Sequence, residues 1–392
     1  MRILHCVESY YPSVGGMQEV VKQLSERLAA KGHDVTVATR FQEERKFETL
    51  NGVKVVGFKV SGNAVSGIKG EKEKYIEFLL NGNYDVVTFF AAQQWATDLA
   101  LPILDQIKGK KVSVPTGYSG YYWETYQGYF NDMKKYIHGY DMNVYLSYDY
   151  RDINFAKENK VDEKKITLIP NGAGADEFLK KYDIDVRGKL NIPKDDLIIL
   201  SIGSYTGWKG HNEMVEMFLR SNIKNATLLM IGNHYQYFKK QYYRKPFLGL
   251  LYLLNKWFWK KRIIFDFFPR DFTVACYLQS DIFLFPSNIE CSPIVLFECA
   301  AARLPFLASD AGNSGEIAKW TGGGLILPTV KNKEGFSKVN IKGSIKMLED
   351  LVADKNKRQQ MGETAFENWK KKYSWEVITD NYENLYKTLI QK

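Results

Sequence analysis

Short, wholly apolar runs separated by amphipathic stretches recur along the whole chain. In the first half they fall at residues 3–7, 35–39, 53–60, 84–90, 111–115, 143–147 and 166–170. Between the first two, Val20, Val21, Leu24 and Leu28 recur at helical spacing, and Gly32 stands where a helix C-cap belongs. After Pro170-Asn171-Gly172 the pattern restarts, with apolar runs at 197–204, 227–232, 262–268, 282–286, 305–309 and 324–328. Runs apolar on both faces, alternating with helices, predict parallel sheets covered on both sides. The expected fold is therefore α/β, with two Rossmann-like, doubly wound domains over residues 1–170 and 171–373. Such sheets bind ligands beyond the carboxyl ends of their strands, so the cleft between two facing domains is the expected site.

Composition narrows the class. A length of 392 residues suits two domains, each able to bury a core. The four cysteines (Cys6, Cys276, Cys291, Cys299) form no C-x-x-C and share no metal-ligand spacing with the five histidines. They read as buried thiols of a reducing compartment. No secretory signal precedes the first strand run, and no window reaches the ~18 apolar residues of a membrane span. A soluble, cytoplasmic chain is expected. No repeat of 20–50 residues and no low-complexity tract is present.

Candidate chemistry centres on ECSPIVLFE, where Glu290 and Glu298 are separated by seven residues. The run follows an apolar strand, DIFLFPS, and opens an apolar helix. A strand, a tight loop and a helix N-terminus make an anion site, because the first N–H groups of the helix lack intrahelical partners. Carboxylates on either side of that site suit a sugar, a ribose and a diphosphate between them. Gly15 and Gly16 follow the first strand and let backbone approach a phosphate. Lys209 closes the loop SYTGWKGH, where a fixed cation can stabilise a departing diphosphate. His33, in KGHDV, is read as structural. The D-x-D of Asp183 and Asp185 falls in a polar junction and is read as a solvated loop.

These segments together resemble glycosyltransferase family 4, retaining nucleotide-sugar enzymes of the GT-B fold. MRILHCVESYYPSVGGMQEVVKQLSERLAAKGHDVTVAT is similar to the family's first strand, glycine loop, helix and second strand. TLIPNGAGADEF resembles its interdomain junction, LSIGSYTGWKGHNEMVEMF its donor-lysine loop, and ECSPIVLFECAAARLPFLASDAGNSGEI its signature. YSWEVITDNYENLYKTL resembles its C-terminal crossover, which would return residues 374–392 to the first domain.

The resemblance implies that Glu290 contacts the donor sugar and that Glu298 binds the ribose. Lys209 and the backbone around Ser292, Ile294 and Val295 would hold the diphosphate, with Gly15 and Gly16 approaching it. No cofactor and no metal are implied. Two departures stand out. Ser204 occupies the place of a usual phosphate-binding arginine, and Thr116, Gly117 and Tyr118 occupy that of a usual histidine. They leave open an alternative, a sugar-nucleotide-binding scaffold without transfer activity. An epimerase on the same fold fits the combined motifs less well. The aromatic stretch GYYWETYQGYF, with Thr116, Tyr118, Tyr121 and Trp123, is the expected acceptor wall.

Residues 217–265 contain ten basic residues and no Asp or Glu, although the chain as a whole carries 54 Lys and Arg against 45 Asp and Glu. Ten aromatics interleave with those charges over 235–259, around FLGLLYLL. A nucleic-acid surface, a packed helical insertion and a membrane-surface element all fit such a composition. No nucleic-acid motif is present, and the membrane reading accounts for both the aromatics and the charge. Lys239, Lys240, Trp257, Trp259, Lys260 and Lys261 in the insertion, residues 234–262, are then the expected contacts with an anionic membrane. The expected partners are a nucleotide sugar and a glycan or lipid-linked saccharide, with the protein peripheral on the inner membrane face.

Overall fold

The computed structural model describes residues 1–243, 253–255 and 257–391. The chain divides into two compact units, one of Met1–Asn171 with Trp375–Lys392 and the other of Gly172–Ser374. In the first unit the strands are β1 (Arg2–Cys6), β2 (Asp34–Arg40), β3 (Thr49–Leu50), β4 (Val53–Phe58), β5 (Val60–Asn63), β6 (Gly67–Gly70), β7 (Val86–Phe90), β8 (Lys110–Val114), β9 (Met142–Tyr145) and β10 (Ile166–Leu168). Eight of them form a sheet of order β10-β9-β8-β7-β1-β2-β4-β3, parallel except for the edge strand β3. All five residues of β7 are buried, as a central strand covered on both faces requires.

The second unit contains β11 (Leu197–Ile202), β12 (Ala226–Ile231), β13 (Lys261–Asp266), β14 (Ile282–Phe285), β15 (Phe306–Ala308) and β16 (Gly324–Ile326), and the short strands β17 (Thr329–Lys331) and β18 (Ser337–Val339). The first six make a parallel sheet of order β13-β12-β11-β14-β15-β16. Chain progression reverses between β1 and β7 in the first sheet and between β11 and β14 in the second. Those are the points where an open α/β sheet forms its crevice.

Two hairpins carry no apolar signature. The run at 53–60 splits, leaving β5 to pair with β6 apart from the main sheet, and β17 pairs antiparallel with β18. The helix Trp375–Gln391 buries Ile378, Tyr382, Tyr386 and Leu389 within the first unit. It is joined to the helix Gly16–Ala30 by Arg27–Glu376 at 3.0 Å, while Lys31, just past that helix, pairs with Asp380 at 2.6 Å.

The basic aromatic insertion opens with the helix Tyr235–Tyr243, on which Lys239 and Lys240 are exposed. Trp257 is 83% exposed, Lys260 is exposed and Trp259 is half-buried. Arg244, Lys245, Lys256 and residues 247–252 of the apolar centre lie outside the described residues. Lys261 corrects the expectation of a membrane contact. It opens β13, is fully buried, and its Nζ donates to the carbonyls of Phe218 and Ser221 at 2.6 Å each. The ammonium caps the end of the helix His211–Arg220, whose last carbonyls have no intrahelical donor. Burial pushes its pKa down to about 8.

Candidate functional site

At the switch point of the second sheet, the loops leaving β11 and β14 meet. Gly210, φ +67°, ends the first loop, and a Cβ there would stand 2.0 Å from the carbonyl oxygen of Pro286 in the second. Only glycine allows this approach. The approach brings Lys209 to Glu290, with Nζ 2.5 Å from Oε1, and the Ser287 hydroxyl donates to the same oxygen at 2.6 Å. The ammonium lies 6.0 Å from the ring centre of Phe285. The Glu290 side chain is only 10% exposed. Its loop is anchored by the Asn313 N–H, which donates to the Cys291 carbonyl at 2.8 Å beside Gly312 in the left-handed region.

The helix Ile294–Ala301 follows at once, and its N-cap, Pro293, supplies no side-chain cap. Ser292 is buried, and Ile294 and Val295 are half-buried at its first turn. Glu298 lies deeper, 3% exposed, with two protein partners. Tyr277 donates its phenol to Oε2 at 2.6 Å, and Arg270 Nη2 meets Oε1 at 2.6 Å. Arg270 also forks onto Glu177 at 2.7 and 2.8 Å. Burial, with the Glu298 carboxylate beside it, holds the Tyr277 phenol well above its ordinary pKa. Neither Tyr277 nor Arg270 is signalled in the sequence, because both reach Glu298 from a neighbouring helix more than twenty positions away. Ser204 donates to Asn233 Oδ1 at 3.1 Å and so ties the Lys209 loop to the loop after β12.

Two family models match the chain in succession. "Glycosyltransferase Family 4" covers residues 14–177, and "Glycosyl transferases group 1" covers 183–368. The chain belongs to glycosyltransferase family 4. Its reaction is the transfer of a glycosyl group. It is 24% identical to an uncharacterised glycosyltransferase of Methanocaldococcus jannaschii, over all of this chain and 99% of that one. It is also 24% identical to the alpha-monoglucosyldiacylglycerol synthase of Acholeplasma laidlawii, over 78% of this chain and 80% of the other. Among solved structures, sucrose-phosphate synthase from Thermosynechococcus elongatus superposes with a TM-score of 0.75 at 19% identity, covering 99% and 98% of the two chains. The fold of the transferase is thus GT-B.

In the first unit of the transferase, Gly15 is extended (φ 177°), a conformation open to any residue. It precedes the helix Gly16–Ala30, which starts without a side-chain cap, and nothing lies within 4 Å of where a Gly16 Cβ would stand. After β8, Thr116, Gly117 and Tyr118 take φ values of +58°, +97° and +48°. Three successive left-handed residues are costly and need an external restraint. Asp152 supplies it, accepting from the Gly117 N–H at 2.8 Å. Burial pushes that carboxyl up to about 6.

Tyr118 is a correction to the acceptor wall. It is 2% exposed and packs edge-on to Phe130 and Phe155, so its ring belongs to the core. Thr116 and Tyr121 are half-buried, while Tyr122 and Trp123 are exposed, and the Arg151 guanidinium sits 4.8 Å above the Tyr122 ring. Among the described residues no three His, Cys, Asp or Glu side chains converge, and no helix is long and apolar enough to cross a membrane.

Proposed function

We propose that the chain is a retaining, metal-independent hexosyltransferase that passes the donor's sugar to a saccharide carried by a lipid or held at a membrane. The observation that carries this reading is the Lys209–Glu290 pair at the point where strand order reverses. Donor phosphates draw the ammonium of Lys209 off the Glu290 carboxylate, which then accepts hydrogen bonds from hydroxyls of the donor sugar. As the bond between the anomeric carbon and the phosphate oxygen breaks, negative charge develops on the diphosphate. Lys209 and the uncapped start of the helix Ile294–Ala301 offset that charge with fixed positive potential, the role a divalent cation would otherwise fill.

The acceptor oxygen attacks the anomeric carbon on the face the phosphate leaves, and its proton passes to the departing phosphate oxygen. The anomeric configuration is kept. Glu298, oriented by Tyr277 and Arg270, would accept from the ribose hydroxyls through its remaining lone pairs. Gly16 leaves room for the donor or acceptor beside a second uncapped helix.

Support for a membrane-held acceptor comes from the exposed Tyr237, Leu253, Trp257 and Phe258 beside exposed Lys239, Lys240 and Lys260. The protein would then act on the cytoplasmic face. A relative named for a glucosyldiacylglycerol product points the same way.

The test is incubation with a panel of nucleotide sugars and a membrane extract, followed by NMR of the product's anomeric centre. Retained configuration and a rate unaffected by EDTA are expected, and inversion or loss of activity with EDTA would refute the mechanism. Nucleotide binding without release under every condition would select the scaffold alternative that Ser204 motivates.

A further inference from the structure

Beside the Lys209–Glu290 pair, on the same strand-end edge of the second unit, lies a cavity of about 620 Å³ to which the mechanism above gives no role. Its walls come from the Lys209 loop, the first turn of the helix His211–Arg220, the loop after β14, and the β17–β18 hairpin with Asn340 just beyond it. Trp208, 52% exposed, and Phe336 line it and stack on each other at 4.9 Å and 20°. The two stacked rings form an aromatic shelf on the wall of the cavity.

The hairpin is not a loose flap. Asn332 closes its tip by accepting from the N–H groups of Glu334 and Phe336 at 3.1 and 2.8 Å. Asn288 ties three of these walls together. Its N–H donates to the Trp208 carbonyl at 2.8 Å, its Nδ2 to the Ser337 carbonyl at 2.9 Å, and its own carbonyl accepts from the Ser337 N–H at 2.7 Å. The cavity, open to solvent on one side, therefore has fixed walls, and its size suits one or two sugar rings.

Its polar lining selects the ligand class. Glu213 and Glu334 contribute carboxylates with no ion-pair partner among the described residues, against the single ammonium of Lys338. Such a lining repels phosphate and pyrophosphate. Asn332 and Asn340 each spend the amide oxygen on backbone N–H groups, which leaves Nδ2 as donor. Asn288 spends Nδ2 and keeps its oxygen as acceptor. Acceptors and donors set around an aromatic shelf match the hydroxyls and the apolar C–H face of a pyranose ring.

We infer that this cavity binds a neutral saccharide, a second sugar distinct from the one transferred, packed against the shelf of Trp208 and Phe336 and hydrogen-bonded by Glu213 and the three asparagines. Trp208 adjoins Lys209 and Asn288 is two residues from Glu290, so occupancy braces both loops of the catalytic pair. The site stands on the second unit's own geometry and does not depend on the mechanism above.

The test is saturation-transfer NMR and tryptophan fluorescence with methyl α-glucoside, α-mannoside and α-galactoside, methyl N-acetylglucosaminide and maltotriose as probes. Saturable binding of at least one probe is expected. Phe336→Ala, which removes half of the shelf at a half-buried position just before β18, should weaken it roughly tenfold or more. Glu213→Gln, a near-isosteric change, should weaken it severalfold and guards against misfolding of the first variant. Nucleotide-induced thermal shifts, which report the donor site separately, should be the same in both variants as in wild type.

No saturable binding by any probe overturns the inference. So does equal binding by wild type and both variants, and so does uridine or adenosine saturating the site in place of the sugars.

Discussion

Lys209 and Glu290 hold each other at 2.5 Å in the structure, yet a donor needs both. Removing the ammonium takes away the fixed cation that offsets charge on the departing diphosphate, so Lys209→Ala should lower kcat by on the order of 10²–10³. Glu290→Gln keeps the shape and removes the charge, and should slow transfer more than it weakens free-nucleotide binding. Glu298→Gln disturbs the Arg270 and Tyr277 contacts and should act mainly on binding, raising KM by roughly tenfold. Kinetics and calorimetric titration of the three variants separate these roles, and equal full activity of all three would refute the assignment. A further residue lies off the donor site. Asp98 accepts from the Ala64 N–H at 2.9 Å and the Tyr129 hydroxyl at 3.0 Å, and burial pushes its carboxyl from 3.8 up to about 6. Between those values the folded chain holds a proton that the unfolded chain has released, so the group's contribution to stability falls as pH rises through that window. The shift corresponds to on the order of 3 kcal/mol. Asp98→Asn has no carboxyl to titrate, so its stability relative to wild type should rise by up to that amount between pH 4 and pH 7, as measured by urea unfolding. At this scale the carboxylates and Lys209 are legible in the sequence because a local motif carries them. Tyr277, Arg270 and Asp152 are not, because each meets its partner only through packing of separate elements.

At the scale of elements, the central strands could be read from their apolar runs, since burial on both faces leaves few positions for polar residues. The β5–β6 and β17–β18 hairpins could not. Their strands are short and polar, and a one-sided hairpin has no such compositional signature. The second of them walls the cavity inferred above, so the least legible element borders the donor site. The insertion shows the opposite failure. Its charge pattern is plain in the sequence, but the pattern does not distinguish Lys261, buried as a helix C-cap, from Lys239, Lys240 and Lys260, which face solvent. This difference sharpens the membrane prediction. The triple change of Lys239, Lys240 and Lys260 to Glu should reduce co-sedimentation with anionic vesicles, each lysine contributing about 1 kcal/mol, and should leave the melting temperature near that of wild type. Trp257→Ser should reduce binding in a way that salt does not mimic, because its contribution is apolar burial. Lys261→Glu should instead lower the melting temperature sharply, since it buries an unpaired anion among carbonyl oxygens. If wild type ignores anionic vesicles, the membrane element is refuted.

At the scale of the whole molecule, the chain leaves the first unit at Asn171 and re-enters it at Trp375, so the last helix is structural material for the unit where the chain began. Ion pairs at the rim hold that helix, but the specific link lies deeper. The Tyr386 hydroxyl sits 2.7 Å from Thr88 Oγ1 and 3.3 Å from His5 Nε2, and His5 Nδ1 lies 2.8 Å from Ser25 Oγ. This buried series joins β1, β7, the helix Gly16–Ala30 and the C-terminal helix. Burial pushes the His5 pKa down to about 3, so the ring stays neutral at physiological pH and one nitrogen accepts while the other donates. Tyr386→Phe keeps the ring packing and removes the shared hydroxyl, leaving the buried Thr88 and His5 short of a partner. Such a loss costs about 1–3 kcal/mol. Because β1 and β7 flank the first sheet's switch point, the effect should appear there as faster amide exchange, roughly tenfold for each 1.4 kcal/mol lost. Hydrogen-exchange mass spectrometry should find the acceleration in Arg2–Cys6, Val86–Phe90 and Trp375–Gln391, with peptides of Gly172–Ser374 at their wild-type rates. Acceleration of equal size across Gly172–Ser374 would show that the helix does not belong to the first unit alone, and unchanged rates in β1 and β7 would show that the Tyr386 hydroxyl holds nothing.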